Sequence, residues 1–399
     1  MRVLWVTPQH PDHRGSGGAR HELELLEALS AHHDIEVLTT YPGAEPLDGI
    51  PLDVVRGWQP GRGPTNKRER LELELGARGP AFTFPMRHRL GPLGDEIARR
   101  DADLVHVMLG ELGPALASTT HARTLLLFDS YTRHAEAQLR EEERPRRRVL
   151  ARIELARCRY FERRWYSLAD GLACVSPQDA AVVSSLVDRE VEVLPNPIPA
   201  ELFAPSPRRP DPNTVLFVGS MGYAPNIDAV EWLVAEIWPR VVATRPDARL
   251  VAVGRAIDDQ TVMDRLRALL GDRLVLDIDD IRTAYWSAAV SIAPMRLGGG
   301  LKNKVIHAMA CGTPVVCTSA AAEGTGAQDR EHIVLADDAD ALAAAVVEVL
   351  DDPEPARAMA ERARHHVEAF ATDRVVLDME RWWDRALERH ARGAAAQAP

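Results

Sequence analysis

The segment from Ile292 to Thr318, IAPMRLGGGLKNKVIHAMACGTPVVCT, constrains the fold more than any other part of the chain. It reads as strand, glycine loop, helix, glycine stop and strand. VSIAP (Val290 to Pro294) is a short apolar run, and Gly298, Gly299 and Gly300 then remove side chains where the backbone must turn. Leu301, Val305, Ala308 and Met309 recur at helical spacing. Gly312 stands where a helix end wants a left-handed residue, and PVVCT resumes as a strand. A glycine loop feeding a helix N-terminus presents unpaired N–H groups and the positive end of the helix dipole, which suits an anion such as a diphosphate. The glycines alone fit an ordinary tight strand-to-helix connection equally well. Arg296, Lys302 and Lys304 add positive charge to the same segment and favour the phosphate reading.

Length and charge bound what surrounds this segment. At 399 residues the chain is too long for one average domain, and two to three are expected. A net charge of −11 argues against wholesale nucleic-acid binding. Cys158, Cys174, Cys311 and Cys317 lie in apolar segments without metal spacing, which predicts reduced, mostly buried thiols, no metal site and a cytoplasmic setting. The opening run MRVLWVT is far shorter than a secretory apolar core, and no run approaches the ~20 apolar residues of a membrane span.

The N-terminal half alternates strands and helices. Strands are expected at Arg2 to Thr7, Ile35 to Thr39, Val54 to Arg56, Ala102 to Met108, Thr124 to Phe128, Gly171 to Val175 and Glu192 to Leu194. A loop from Pro8 ends in Gly17-Gly18 and leads into a helix from Arg20 to Ser30. Arg56 to Leu90 reads as a long excursion holding a short charged helical piece, Lys67 to Leu75. Glu141 to Asp170 reads as one long helix with Val149, Ile153, Ala156, Tyr160 and Trp165 on one stripe. A solvated basic face is its favoured reading. The alternative is attraction to an anionic lipid or acceptor, and with it peripheral contact with the inner face of the membrane.

A boundary falls near Pro195 to Pro199, with a proline-rich linker from Pro205 to Pro212, and the pattern then restarts. Strands are expected at Thr214 to Gly219, Arg249 to Gly254 and Leu274 to Asp277, and helices at Asp228 to Thr244, Val262 to Leu270, Ile281 to Ala289, Ala339 to Leu350 and Glu354 to Phe370. A last helix, Asp373 to Ala391, carries Trp382, Trp383 and Leu387 on one side. The expected architecture is α/β, with two tandem doubly wound Rossmann-like domains facing across a cleft at the carboxyl ends of their strands. The domains are expected at 1–198 and 199–372, with 373–399 crossing back to the first.

This arrangement resembles the GT-B glycosyltransferases, and within them the retaining family four, or group 1, enzymes. The resemblance rests on Gly17-Gly18, VSPQDA (Val175 to Ala180), LPNP (Leu194 to Pro197), FVGSMGYAPN (Phe217 to Asn226) and above all GGGLKNKVIHAMACGTPVV. It implies a nucleotide diphosphate sugar bound mainly on the C-terminal domain and an acceptor on the N-terminal domain. It further implies transfer with retention and no metal or other cofactor. Donor contacts implied are Gly219, Ser220, Arg296, Gly298, Gly299, Gly300, Leu301, Lys302, Lys304 and His307, with Gly17 and Gly18 as an anion contact from the first domain. The leaving diphosphate gains negative charge, and Lys304 and Arg296 can meet it without a divalent ion.

The chain departs from the family pattern in two respects that bear on the donor. The family often carries two glutamates eight positions apart; here Gly299 and His307 stand there. Either His307 is a drifted wall residue, or its imidazole makes one hydrogen bond where a carboxylate would hold two ribose hydroxyls. The second case would suit a 2′-deoxyribose donor such as a dTDP-sugar. The family's Arg and Lys after the strand ending in Val-Gly are replaced by Ser220 and Pro225-Asn226.

On the acceptor side, Asp129 and His134 follow the strand TLLLF, and Asp129 is equally an N-cap candidate beside Ser130 and Thr132. His106 inside ADLVHVM reads as a core histidine, while His13, Arg14 and Glu323 are weaker candidates. The acceptor is a small molecule, a lipid-linked group or a glycan. The other readings of function are a nucleotide-sugar epimerase of the same fold and a catalytically silent nucleotide-sugar-binding protein.

Overall fold

The computed structural model describes residues 1–12, 17–55, 90–204, 206, 209–257 and 259–397. The chain divides into two compact units, Met1–Pro195 with Asp373–Pro399, and Asn196–Thr372.

The first unit is built on a seven-stranded sheet of order β3-β2-β1-β4-β5-β6-β7, parallel throughout. The strands are β1 (Arg2–Thr7), β2 (Asp34–Thr39), β3 (Leu52–Val54), β4 (Leu104–Met108), β5 (Ala122–Leu127), β6 (Gly171–Cys174) and β7 (Glu192–Val193). Val3 to Val6, Leu104 to Met108 and Leu125 to Leu127 are buried, as expected of parallel strands covered on both faces. The chain order reverses between β1 and β4, and ligands of such sheets bind at the carboxyl ends flanking that reversal.

The second unit carries a six-stranded parallel sheet of order β10-β9-β8-β11-β12-β13. Its strands are β8 (Asp211–Val218), β9 (Arg249–Gly254), β10 (Leu274–Leu276), β11 (Ala288–Ala293), β12 (Val315–Cys317) and β13 (Val334–Leu335). Here the reversal lies between β8 and β11. Gly312 closes the helix Asn303–Ala310 at φ 69°, the left-handed stop its position predicts.

Several local expectations are corrected. The long helix from Glu141 is two helices, Tyr131–Glu141 and Pro145–Tyr166, because Pro145 cannot continue a helix and serves instead as the first residue of the next. Trp165 leaves the predicted stripe and packs against the core of the first unit. Ala288 and Ala289 belong to β11 rather than to the preceding helix, which ends at Ser287. The helix expected from Asp228 starts at Ala224, with Pro225 in its first turn, and passes through a π turn at Leu233–Ile237. A 3-10 segment at Gly110–Ser118, which contains Pro114, has no counterpart in the sequence pattern. Lys67 to Leu75 and nearly all of the Arg56 to Leu90 excursion lie outside the described residues.

The last helix, Thr372–Gln397, packs on the first unit. Trp382 and Trp383 are fully buried, and Trp383 lies at 5.5 Å from the His106 ring. Glu380 accepts from His32 and His33, and His390 reaches Asp170 at 3.1 Å. His106 Nδ1 and the Thr124 hydroxyl are hydrogen-bonded at 2.9 Å, Trp383 Nε1 donates to the same Nδ1 at 3.4 Å, and burial pushes the imidazole down to about 3. It is a neutral core histidine, as the strand pattern predicted. All four cysteines are free and buried.

Candidate functional site

In the second unit the predicted donor residues gather on two loops at the carboxyl ends of β8 and β11, the adjacent strands at the reversal. The loop after β11 runs from Pro294 to Lys302. Gly298 and Gly300 adopt φ 96° and 67°, conformations open to glycine and strained for other residues. Lys302 explains how this loop holds its shape. Its ammonium donates to the carbonyls of Gly298, Gly299 and Gly300 at 3.0, 2.6 and 2.9 Å, and the residue is buried. Three directed donors are matched to three carbonyls, so this cation serves as a brace for the loop.

Lys304, in the first turn of the helix Asn303–Ala310, has a different environment. Its Nζ donates to Asn226 Oδ1 at 2.5 Å, lies 3.3 Å from Met295 Sδ and sits 4.5 Å from the centre of the Phe217 ring. Burial, with the Lys302 charge a smaller cause, pushes its ammonium down to about 7. Among the described residues no carboxylate holds it. No side chain of these residues caps the helix N-terminus either, so the helix adds the positive end of its dipole beside Lys304. Leu301 is buried, and His307 lies one turn further along the helix, half-buried.

The loop after β8 meets this cluster through Asn226, whose Nδ2 donates to Ser220 O at 2.9 Å. Gly219 permits the approach, since a Cβ there would lie 2.8 Å from Asn226 Cγ. Ser220 is exposed. Arg296 is turned to a bidentate pair with Asp228, at 2.7 and 3.1 Å, and stacks 4.8 Å over Trp232. The three cations of the segment therefore have three different fates. Thr318 ties the loop after β12 to Met295 O at 2.5 Å, and Glu323 follows half-buried after the short helix Ser319–Ala322.

In the first unit, Gly17 and Gly18 open the helix Gly17–Ser30 after β1, and Gly18 lies against the Phe128 ring. His13 and Arg14 lie outside the described residues. Asp129 and His134 are brought together, Oδ2 to Nε2 at 3.0 Å, and the bond to Asp129 raises the imidazole above its ordinary value. Asp129 is not the helix cap. Ser130 caps Tyr131–Glu141, and two buried carboxylates support that helix start. Glu162 accepts from Tyr131 N at 2.8 Å and Asp179 from Ser130 N at 3.0 Å. Asp129 and His134 are thus left to each other at the carboxyl end of β5.

Sequence reasoning missed a set of buried acids. Glu22 accepts from Trp5 Nε1, Gln9 Nε2 and Thr7 Oγ1 at 2.6, 2.6 and 3.0 Å, and burial pushes it up to about 7. Its signal was present: it precedes Leu25 and Leu26 by one helical turn, on the face that is buried. Glu162 is pushed up to about 7 by the same cause. Glu111, after β4, accepts from the Tyr131 hydroxyl at 2.7 Å and is raised mainly by burial. An apolar hollow lined by Tyr285, Trp286, Cys311, Pro314 and Leu350 lies at the amino ends of β11 and β12 and contains none of the predicted residues.

Two family models match the chain: Glycosyltransferase Family 4 over residues 15–202 and Glycosyl transferases group 1 over residues 212–352. A phosphatidyl-myo-inositol mannosyltransferase of Mycolicibacterium smegmatis is 28% identical over 396 residues, covering 93% of this chain and 90% of that protein. Among solved structures, sucrose-phosphate synthase from Thermosynechococcus elongatus superposes with a TM-score of 0.70 at 20% identity, covering 96% of this chain and 99% of the other. Anabaena HepE in complex with UDP and glucose gives 0.66 at 13% identity, covering 96% and 99%. The structural likenesses establish the fold as GT-B. With both halves matched by glycosyltransferase models and the fold in agreement, the chain belongs to the group 1, family four glycosyltransferases.

Proposed function

We propose that this glycosyltransferase takes its sugar from a nucleotide diphosphate donor held by the second unit and passes it to an acceptor hydroxyl with retention, without a divalent metal. The observation that carries the proposal is Lys304, a buried amine at an uncapped helix N-terminus with no carboxylate partner among the described residues. When the bond between the anomeric carbon and the diphosphate oxygen breaks, the bonding electrons stay with the diphosphate. Lys304 and the helix N–H groups then meet more negative charge than in the ground state, and catalysis requires this kind of difference. Lys302 keeps the glycine amides in place, and Asn226 aims the ammonium.

The Asp129–His134 pair serves the acceptor side in this proposal. The acceptor is a small molecule, a lipid-linked group or a glycan. The curated relative's name describes a mannosyl transfer to a phosphoinositide, so hydroxyls of a polyol ring belong among the acceptors to be tried.

The test is release of nucleotide diphosphate from a panel of nucleotide sugars, with and without acceptor pools. Lys304→Met should lower kcat by at least ~100-fold with a smaller rise in KM. Turnover should persist in excess EDTA. Near-normal kcat in the variant would remove Lys304 from the chemistry, and loss of activity on chelation, restored by magnesium or manganese, would refute the metal-free account.

A further inference from the structure

The helix Pro145–Tyr166 carries two apolar rows. One contains Cys158, Phe161 and Tyr166 and is buried in the first unit. The other is Val149, Ile153, Ala156 and Tyr160, spaced i, i+4, i+7 and i+11; Val149, Ala156 and Tyr160 are exposed and Ile153 is half-buried. Val149 is 53% exposed, Tyr160 56% and the neighbouring Leu150 41%. At about 1.5 Å per residue this row is roughly 16 Å long. Exposed arginines border it on both sides: Arg152 and Arg163 along one edge, Arg146 and Arg164 along the other. The acids of the same helix, Glu154 and Glu162, project elsewhere, Glu162 into the core. Acids from outside the helix meet it at two places: Glu136 pairs with Arg159 at 2.7 Å, and Glu142 accepts from Arg144 N at 2.9 Å and, through its carbonyl, from Arg148 at 3.4 Å.

Two features of this helix are unfavourable in water. Its first turn holds no acid but has Arg146, Arg147 and Arg148, cations at the positive end of the dipole. Its outward row exposes aliphatic and aromatic surface that contiguous burial would normally remove. Both become favourable at a boundary that is apolar below and negatively charged above. We propose that this face docks the protein on an anionic lipid bilayer, with Val149, Ile153 and Tyr160 at the headgroup–acyl boundary and the arginines among the lipid phosphates. A nucleic acid would use the cations but leave the apolar row uncovered. No helix among the described residues is long and apolar enough to cross a membrane, so the helix lies on the surface. The attraction rests on exposed charges and is therefore salt-sensitive. The inference does not depend on the donor chemistry.

The experiment is co-sedimentation of the full chain with phosphatidylcholine vesicles, plain or doped with phosphatidylglycerol. Binding should require phosphatidylglycerol and fade between about 0.1 M and 1 M salt. Each arginine reversed in Arg146→Glu, Arg152→Glu and Arg163→Glu should weaken partitioning at least about five-fold. Val149→Ser with Tyr160→Ser should weaken it while leaving the charge and, since both residues are exposed, the melting temperature unchanged. Arg249→Glu, an exposed cation of the second unit, should have no effect. No binding to the doped vesicles, or equal binding by the serine variant, overturns the proposal. Capture by an immobilised acidic polymer but not by vesicles overturns it in favour of an acidic macromolecule.

Discussion

Lys304 should couple donor binding to proton uptake. In the free protein its ammonium titrates at about 7, well under the ordinary 10.5, because burial removes water and only Asn226, Met295 and the Phe217 ring replace it among the described residues. A diphosphate beside it supplies the missing counter-charge and returns it toward the ordinary range. At about pH 8 roughly a tenth of the free protein carries the proton, so binding one nucleoside diphosphate should take up about 0.9 proton. Below pH 7 the proton is already present and affinity should be flat. Above it, the dissociation constant should rise by up to ~10-fold per pH unit. Calorimetry in buffers of different ionisation heat measures the uptake directly, and the titration of the ligand's own phosphate cancels in the comparison with Lys304→Met. Lys304→Arg is permanently charged and should bind without uptake. Uptake near zero in the wild-type protein, or equal uptake in Lys304→Met, would refute the assignment of a buried, half-charged lysine at the donor phosphate.

The two lysines of the segment should affect stability in opposite directions. Lys304 is depressed in the folded state, so folding costs most at and below pH 7 and the cost vanishes as the unfolded chain loses its proton near 10.5. Lys304→Met should therefore raise the melting temperature at pH 7, with the gain shrinking by pH 10. Lys302→Met leaves the carbonyls of Gly298, Gly299 and Gly300 without their donor, and should cost about 1–3 kcal/mol by thermal or urea unfolding while raising KM. His134 is raised by its bond to Asp129, so Asp129→Asn should move the imidazole titration, followed by NMR, to lower pH. If His307 takes the place of a ribose-binding carboxylate, His307→Glu should shift the kcat/KM ratio from a dTDP-sugar toward the matched UDP-sugar; an unchanged ratio would make it a wall residue.

Strand and helix alternation made both sheets legible. A parallel strand buried on two faces is a continuous apolar run, and runs such as ADLVHVM and TVLFVG are too short to be buried helices. The errors fell where a local pattern has two outlets. Val149, Ile153, Ala156, Tyr160 and Trp165 satisfy helical periodicity, but the pattern does not say which apolar row faces the core; Phe161 and Tyr166 took that role. Asp129 and Ser130 were interchangeable as caps in the sequence, and the choice was made by Glu162 and Asp179, which support the helix start from 31 and 49 residues away.

The same limit applies to Arg296, Lys302 and Lys304. As residue types beside a glycine loop they were equivalent. Their roles were decided by partners that periodicity does not encode: Asp228 for Arg296, 68 residues distant, the adjacent loop carbonyls for Lys302, and Asn226 for Lys304, 78 residues distant. A cation matched by a carboxylate or by three carbonyls has little charge left for a ligand. One matched by an amide oxygen, a thioether and a ring face has been desolvated without being neutralised. A desolvated, unneutralised amine is costly to fold, and it meets a passing anion with the least rearrangement. By that criterion Lys304 is set apart from the two cations beside it, and the folding cost assigned to it and its role toward the diphosphate have a single physical origin.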